Sequence, residues 1–170
     1  MKLEFFIARL SQNAEAIQSL LSGVVEEQAR WKPTPDEWSL LEVINHLYDE
    51  EREDFRQRLD LTLHQPGQLW PDIDPQGWVV ERGYNGRDLE ASLENFLRER
   101  RRSVAWLAGL SSPDWEAHRE HPQAGQLSAG DLLASWLAHD LLHLRQLVQL
   151  HWQYVSRLAE PYTTRYAGAW

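Results

Sequence analysis

His139 and His143 stand four residues apart in the stretch His139-Asp140-Leu141-Leu142-His143. On a helix this spacing puts both imidazoles on one face, where they can address a single ion. Two explanations compete for such a pair: core histidines satisfied by hydrogen bonds, or ligands of a divalent metal. The helical projection places them beside Leu132, Trp136 and Leu150, the side that should face a core. Free imidazoles there carry a desolvation cost that coordination removes. A pair does not complete a site, so a third ligand has to come from another helix. His46 is the candidate, at the edge of the apolar arc of Leu40, Val43 and Leu47, with Glu50 one turn further on and also turned inward. Three neutral histidines leave at least one coordination position open, as in catalytic centres and unlike closed structural ones. Imidazole donors make zinc the first expectation, with nickel and iron permitted. Glu50, Asp140 and Gln146 could orient a ligand, although ordinary bundle polarity accounts for each of the three equally well. His64, His118 and His121 fall in loops and His151 near a helix end, and these four are expected to be solvated.

Four helical segments must position these residues. In the first, Phe6, Leu10, Ile17, Leu20, Leu21 and Val24 recur at helix spacing, with Gly23 as a stop. The second starts at Ser39, which forms an S-x-x-E capping box with Glu42, and Trp38 and Val43 occupy staple positions across it. It runs through His46 and Phe55 to about Leu61. The third covers Asp88 to Leu110. The fourth starts with a second box, Ser128 and Asp131, and continues past His143 to about Trp152. No segment alternates with period two over a useful length, so the fold class predicted is all-α, a helical bundle. Residues 62–87 hold four glycines and prolines at Pro66, Pro71 and Pro75 among other breakers, so no helix is expected there. A loop of that length tends to be functional, and it can cross the bundle so that the second and third helices run parallel. Residues 111–127, with Pro113 and Pro122, form a second loop.

Composition narrows the partners. A formal net charge of -9 argues against non-specific nucleic-acid binding. The absence of cysteine removes disulfides, zinc–thiolate sites and any thiol nucleophile of the chain's own. The N-terminus lacks the pattern of a signal peptide, and no apolar run approaches a bilayer-spanning length; a cytoplasmic protein with no membrane association is the expectation. The nine tryptophans are read as filling the bundle core and its loops. On the fourth helix Leu137, Leu141, Leu144 and Val148 point away from the histidines. So wide an apolar arc needs burial on more than one side, and a homodimer is expected.

Two motifs carry a family resemblance. The stretch from Glu37-Trp38-Ser39 through Asn45-His46-Leu47-Tyr48-Asp49-Glu50 resembles the second-helix signature of the DinB/YfiT-like superfamily. His139-Asp140-Leu141-Leu142-His143-Leu144-Arg145-Gln146 resembles its fourth-helix H-x-x-x-H-x-x-Q signature. The resemblance implies one domain over residues 1–170, a four-helix bundle of up-down-down-up order, and a metal centre formed by His46, His139 and His143. It also implies dimers, and activities that include metal-dependent transfer to low-molecular-weight thiols such as bacillithiol, mycothiol or glutathione.

The leading functional expectation is therefore a thiol S-transferase acting on a small-molecule electrophile under the 62–87 loop. The thiol comes from outside, and metal coordination lowers its pKa. Metal-assisted hydrolysis with Glu50 as base is the alternative within enzymes. A non-catalytic ligand-binding or stress protein is the alternative outside them. Ferritin-like di-iron chemistry would need paired Glu-x-x-His motifs, and the zincin H-E-x-x-H is also absent.

Overall fold

The computed structural model describes residues 1–121 and 125–168; Pro122, expected in the second loop, lies outside them, as does Trp170. Among the described residues seven α-helices run in chain order: α1 (Leu3–Leu21), α2 (Glu26–Arg30), α3 (Leu40–Asp49), α4 (Arg56–His64), α5 (Pro75–Glu81), α6 (Leu89–Ala108) and α7 (Ala129–Leu158). A π-helical stretch, Glu50–Phe55, joins α3 to α4, so Leu40–His64 forms one unbroken helical segment. That segment, α1, α6 and α7 make the four-helix bundle. Among the described residues no helix is long and apolar enough to cross a membrane.

Both capping boxes form: Ser39 accepts from the Glu42 backbone while the Glu42 carboxylate accepts from Ser39 N–H, and Ser128 and Asp131 repeat the exchange. These reciprocal bonds satisfy backbone donors that a helix start leaves without partners, and so fix where α3 and α7 begin. At Gly23, φ is +76°, the left-handed region that lets the chain turn out of α1.

Cross-helix contacts give the direction of each helix. Asn45 meets Ser92, Glu51 meets Arg100, and Arg56 meets Ser103, so the α3–α4 segment and α6 run in the same direction. His46 meets His143 and His139, while Glu51 meets Trp136, and Leu59 shares an apolar cluster with Leu132 and Leu133, so α7 runs opposite to α3–α4. The order is up-down-down-up, as the crossing loop predicts. Two apolar layers fill the interior, one around Ile17, Leu21, Ile44, Leu47, Phe96 and Leu147, the other around Leu10, Leu59, Leu107, Leu133 and Trp136.

Several expectations need correction. Helix does form within 62–87: α4 reaches His64, and α5 starts where Asp74 caps the Gly77 N–H and Pro75 takes the first helical position, where its missing N–H costs nothing. The connection is docked rather than loose. Fully buried Tyr84 donates to Asp49 Oδ2 at 2.5 Å, and Arg82 bridges Asp49 and Glu53. Two short strands, β1 (His118–His121) and β2 (Gly125–Ser128), pair antiparallel, with Arg119 opposite Leu127. They are too short and polar to show alternation. Arg119 secures them by donating to the carbonyls of Leu61, Gln65 and Gln68 at the end of α4. Helix α7 continues to Leu158, beyond Trp152. Leu137 and Leu144 are half-buried against the core, leaving Leu141 and Val148 as the exposed members of the outward arc. The tryptophans do fill core and loops: Trp136 and Trp78 are buried, and Trp38, Trp70, Trp106 and Trp115 pack on the clusters.

Candidate metal centre

His46 lies about two turns into α3, just before the π-helical stretch, and His139 and His143 lie on α7 opposite it. The antiparallel packing brings the three rings together. His46 Nε2 is 3.3 Å from His139 Nε2, and His143 Nε2 is 3.1 Å from the same atom. One ligand atom from each of the three lies within 4.8 Å of the other two. Nitrogens bound to one tetrahedral ion at ~2.0–2.1 Å stand roughly 3.3 Å apart, so the spacing fits a shared ion.

The protonation states fit as well. His143 Nδ1 donates to Gln146 Oε1 at 2.8 Å, which leaves its Nε2 with a lone pair. Burial, and then repulsion from the His143 and His139 rings, hold His46 down to about 2. Burial, His143 and the Arg100 guanidinium hold His139 down to about 3. Burial lowers His143 too, against the opposing pull of Gln146 and Asp140. Three neutral imidazoles with converging nitrogens are a soft-to-borderline donor set that suits a divalent transition ion. His46 Nδ1 is buried with no hydrogen-bond partner.

The triad forms the floor of a cleft of about 590 Å³, with Trp38, Glu50, Gln146 and Leu150 among its walls. The Trp38 ring packs 4.8 Å from His46 and lies parallel to His143 at 6.3 Å. Phe55 closes the other side against His139. Glu50 is buried and presents an Oε1 with no partner. Its carboxyl hydrogen-bonds Asp54, which in turn pairs with Arg58 at 2.8 Å. Two carboxyls in contact cannot both ionise. Burial, followed by the Asp54 charge, raises Glu50 to about 9, so it holds the shared proton.

Of the residues singled out in the sequence, His46, His139, His143, Glu50 and Gln146 meet at this cleft. Asp140 does not. Its carboxylate accepts from Arg100 at 2.6 and 2.8 Å and from Asn13 at 3.3 Å. His64 and His118 are exposed as expected, and His121 is half-buried with its ring against Trp70. His151 is not solvated: its Nδ1 meets Gln28 at 2.9 Å and its Nε2 is buried.

The sequence did not reveal what holds α3 and α7 in register. Arg100, fully buried, donates to both Glu51 oxygens at 2.8 Å, to Asp140 and to the Leu10 carbonyl, and Trp136 donates to Glu51. This polar layer ties all four bundle helices together beside the triad, because Glu51 follows Glu50 and Asp140 follows His139. Arg100 sits in a run of arginines that reads as a solvated face. The available signal was its helical phase, shared with Leu93, Phe96 and Leu107.

Comparison with known proteins agrees with this fold. The model of the DinB superfamily matches residues 9–147. A curated protein of Oceanobacillus iheyensis, named "Putative metal-dependent hydrolase OB0782", is 27% identical over 113 residues, which are 66% of this chain and 64% of that protein. The chain thus spans just under two thirds of that relative's length. The solved structure of YfiT from Bacillus subtilis, described as "a probable metal-dependent hydrolase with an unusual four-helix bundle topology", superposes with a TM-score of 0.77 at 17% identity, covering 88% of this chain and 85% of that one.

Proposed function

The chain belongs to the DinB superfamily, and from that premise we propose that it is a metal-dependent enzyme, a hydrolase, whose centre is the triad His46, His139 and His143. The observation that carries this is the convergence of three neutral imidazole nitrogens, 3.1 and 3.3 Å apart, at the base of an open cleft. A divalent ion bound there, zinc in the first instance and nickel or iron by the same donor chemistry, supplies Lewis acidity. The protein's own residues do the rest. Gln146 holds His143 in the tautomer that offers Nε2. Trp38 and Phe55 wall the rings and exclude water from their faces. Glu50 lines the cleft and, holding its proton at neutral pH, is suited to give that proton to the leaving group as a general acid, with Asp54 on its other side. Both relatives are named as metal-dependent hydrolases, which supports the same reaction class.

A second nucleophile remains in view. The cleft, at about 590 Å³, has room for more than water and one electrophile, which favours transfer to an external low-molecular-weight thiol. One experiment separates the two. Metal-loaded protein is given a panel of small esters, amides and alkylating electrophiles, each without thiol and then with bacillithiol, mycothiol or glutathione. Turnover without thiol supports hydrolysis, and turnover only with thiol supports S-transfer. Loss of either in His46→Ala and His143→Ala assigns the chemistry to the triad. Variants that bind as much metal as the wild type would defeat both.

The outward face of α7 also needs a partner. Leu141, Val148 and Val155 repeat every seven residues and are 50, 40 and 56% exposed, with Leu158 beyond them at 62%. This stripe has the spacing of a helix–helix seam, and we infer that a second copy of the chain covers it.

A further inference from the structure

The cleft above the histidines has a one-sided chemistry. Asp36 and Glu37, from the segment leading into α3, contribute carboxylates; Gln76, Gln149 and Gln153 contribute amides; Trp38 contributes an aromatic ring. No lysine or arginine is among the described residues that line it. At this rim, away from the ion that the histidines would hold, a ligand carrying a carboxylate or phosphate meets two like charges and no side-chain cation to pair with. An ammonium group meets two carboxylates, amide oxygens and the electron-rich face of an indole. The whole-chain charge of -9 adds a field of the same sign. An independent feature points to a polar ligand at this place: Glu50, buried and with an Oε1 that has no partner, is among the residues lining the same cleft.

We propose that the substrate bears an amine, a protonated nitrogen seated against Asp36, Glu37 and Trp38, while its reacting end reaches the three histidines. The assignment rests on the triad being the metal-binding floor of the cleft. Asp36 is open to solvent and Glu37 partly so; they select charge by field rather than by a buried ion pair, so the preference falls as salt is added.

The test uses the protein loaded with cobalt(II) and three small thiols as probes: cysteamine, 2-mercaptoethanol and 3-mercaptopropionate. Sulfur-to-cobalt absorbance reports binding without any turnover. The affinity ratio of cysteamine to mercaptopropionate is measured in the wild type and in an Asp36→Asn, Glu37→Gln double variant, so that differences in thiol acidity cancel. At low salt the wild-type ratio is expected to exceed the variant ratio by about five- to tenfold, and the excess to shrink several-fold in molar salt. Ratios equal within twofold, with normal cobalt spectra, overturn the amine assignment and leave the metal centre standing. Cobalt uptake undiminished in His139→Ala overturns the metal centre, and the amine assignment with it. Thermal melting of the double variant checks its fold, and the two single variants, each expected to lose about half of the effect on a logarithmic scale, give the same answer if the double variant melts early.

Discussion

The Nδ1 of His143 lies 2.8 Å from Oε1 of Gln146, one turn further along α7. This contact decides which nitrogen of the ring faces His139 and His46. Removing it in Gln146→Ala frees the ring to rotate and to change tautomer. Metal affinity is expected to fall by about 10–100-fold while the fold is retained. Competition with a chromophoric chelator measures it, and an unchanged affinity would show that Gln146 does not orient the ligand.

Acidity acts on the metal-free protein in two opposed ways. The three histidines are held below their ordinary value of 6.5, so below that pH the unfolded chain takes up protons that the folded chain refuses. Stability then rises with pH up to about 6.5, at roughly 1.4 kcal/mol per pH unit for each such proton. Glu50 behaves in the reverse sense. Folded, it keeps its proton up to about 9, whereas the unfolded carboxyl loses it near 4.5. Its contribution is complete below the lower value and is lost as pH rises toward 9. Once the histidines are neutral in both states, the Glu50 effect alone remains, so stability should peak near neutrality and decline on the alkaline side. Urea midpoints between pH 5 and 9 check this, and Glu50→Gln should flatten the alkaline limb; a continued rise from pH 7 to 8.5 would contradict the Glu50 assignment.

Arg100 is the most heavily bonded side chain of the core. Arg100→Met leaves the Glu51 and Asp140 carboxylates buried without their cation, and a loss of about 3–5 kcal/mol is expected. Arg102 is a useful contrast, because its side chain is 64% exposed where it pairs with Glu99. Arg102→Ala is expected to change stability by less than about 1 kcal/mol. Chemical denaturation of the two variants makes the comparison. Similar costs would mean that the polar layer does not hold the bundle together.

Association through α7 makes a separate prediction. Charge introduced by Leu141→Glu or Val148→Glu opposes burial of the outward stripe and should shift a dimer to monomer in sedimentation, with little change in metal content. A chain that sediments as a monomer without either substitution would refute the pairing.

Local chemistry made part of this protein legible in one dimension. The boxes at Ser39 and Ser128 locate two helix starts, because a cap involves only residues three apart. The i,i+4 spacing of His139 and His143 places two rings on one face whatever the rest of the chain does. The motif around His46 pointed to the third histidine of the cluster, and the glycines and prolines of 62–87 marked the crossing that lets α3–α4 and α6 run parallel.

Only the tertiary structure decided how those faces meet. Asp140 reads in sequence as a neighbour of the metal site, yet it serves Arg100, because α6 and α1 pack that guanidinium and Asn13 against its carboxylate. Arg100, Glu51 and His151 look solvated when only composition is read, yet the first two are buried and His151 is half-buried, because residues distant in sequence supply their partners. The α5 helix and the β1–β2 pair are too short to announce themselves by periodicity; they exist because Tyr84, Arg82 and Arg119 dock them onto α3 and α4. A side chain's direction follows from its own helix, whereas its environment follows from every helix packed around it, and the second cannot be read from spacing alone.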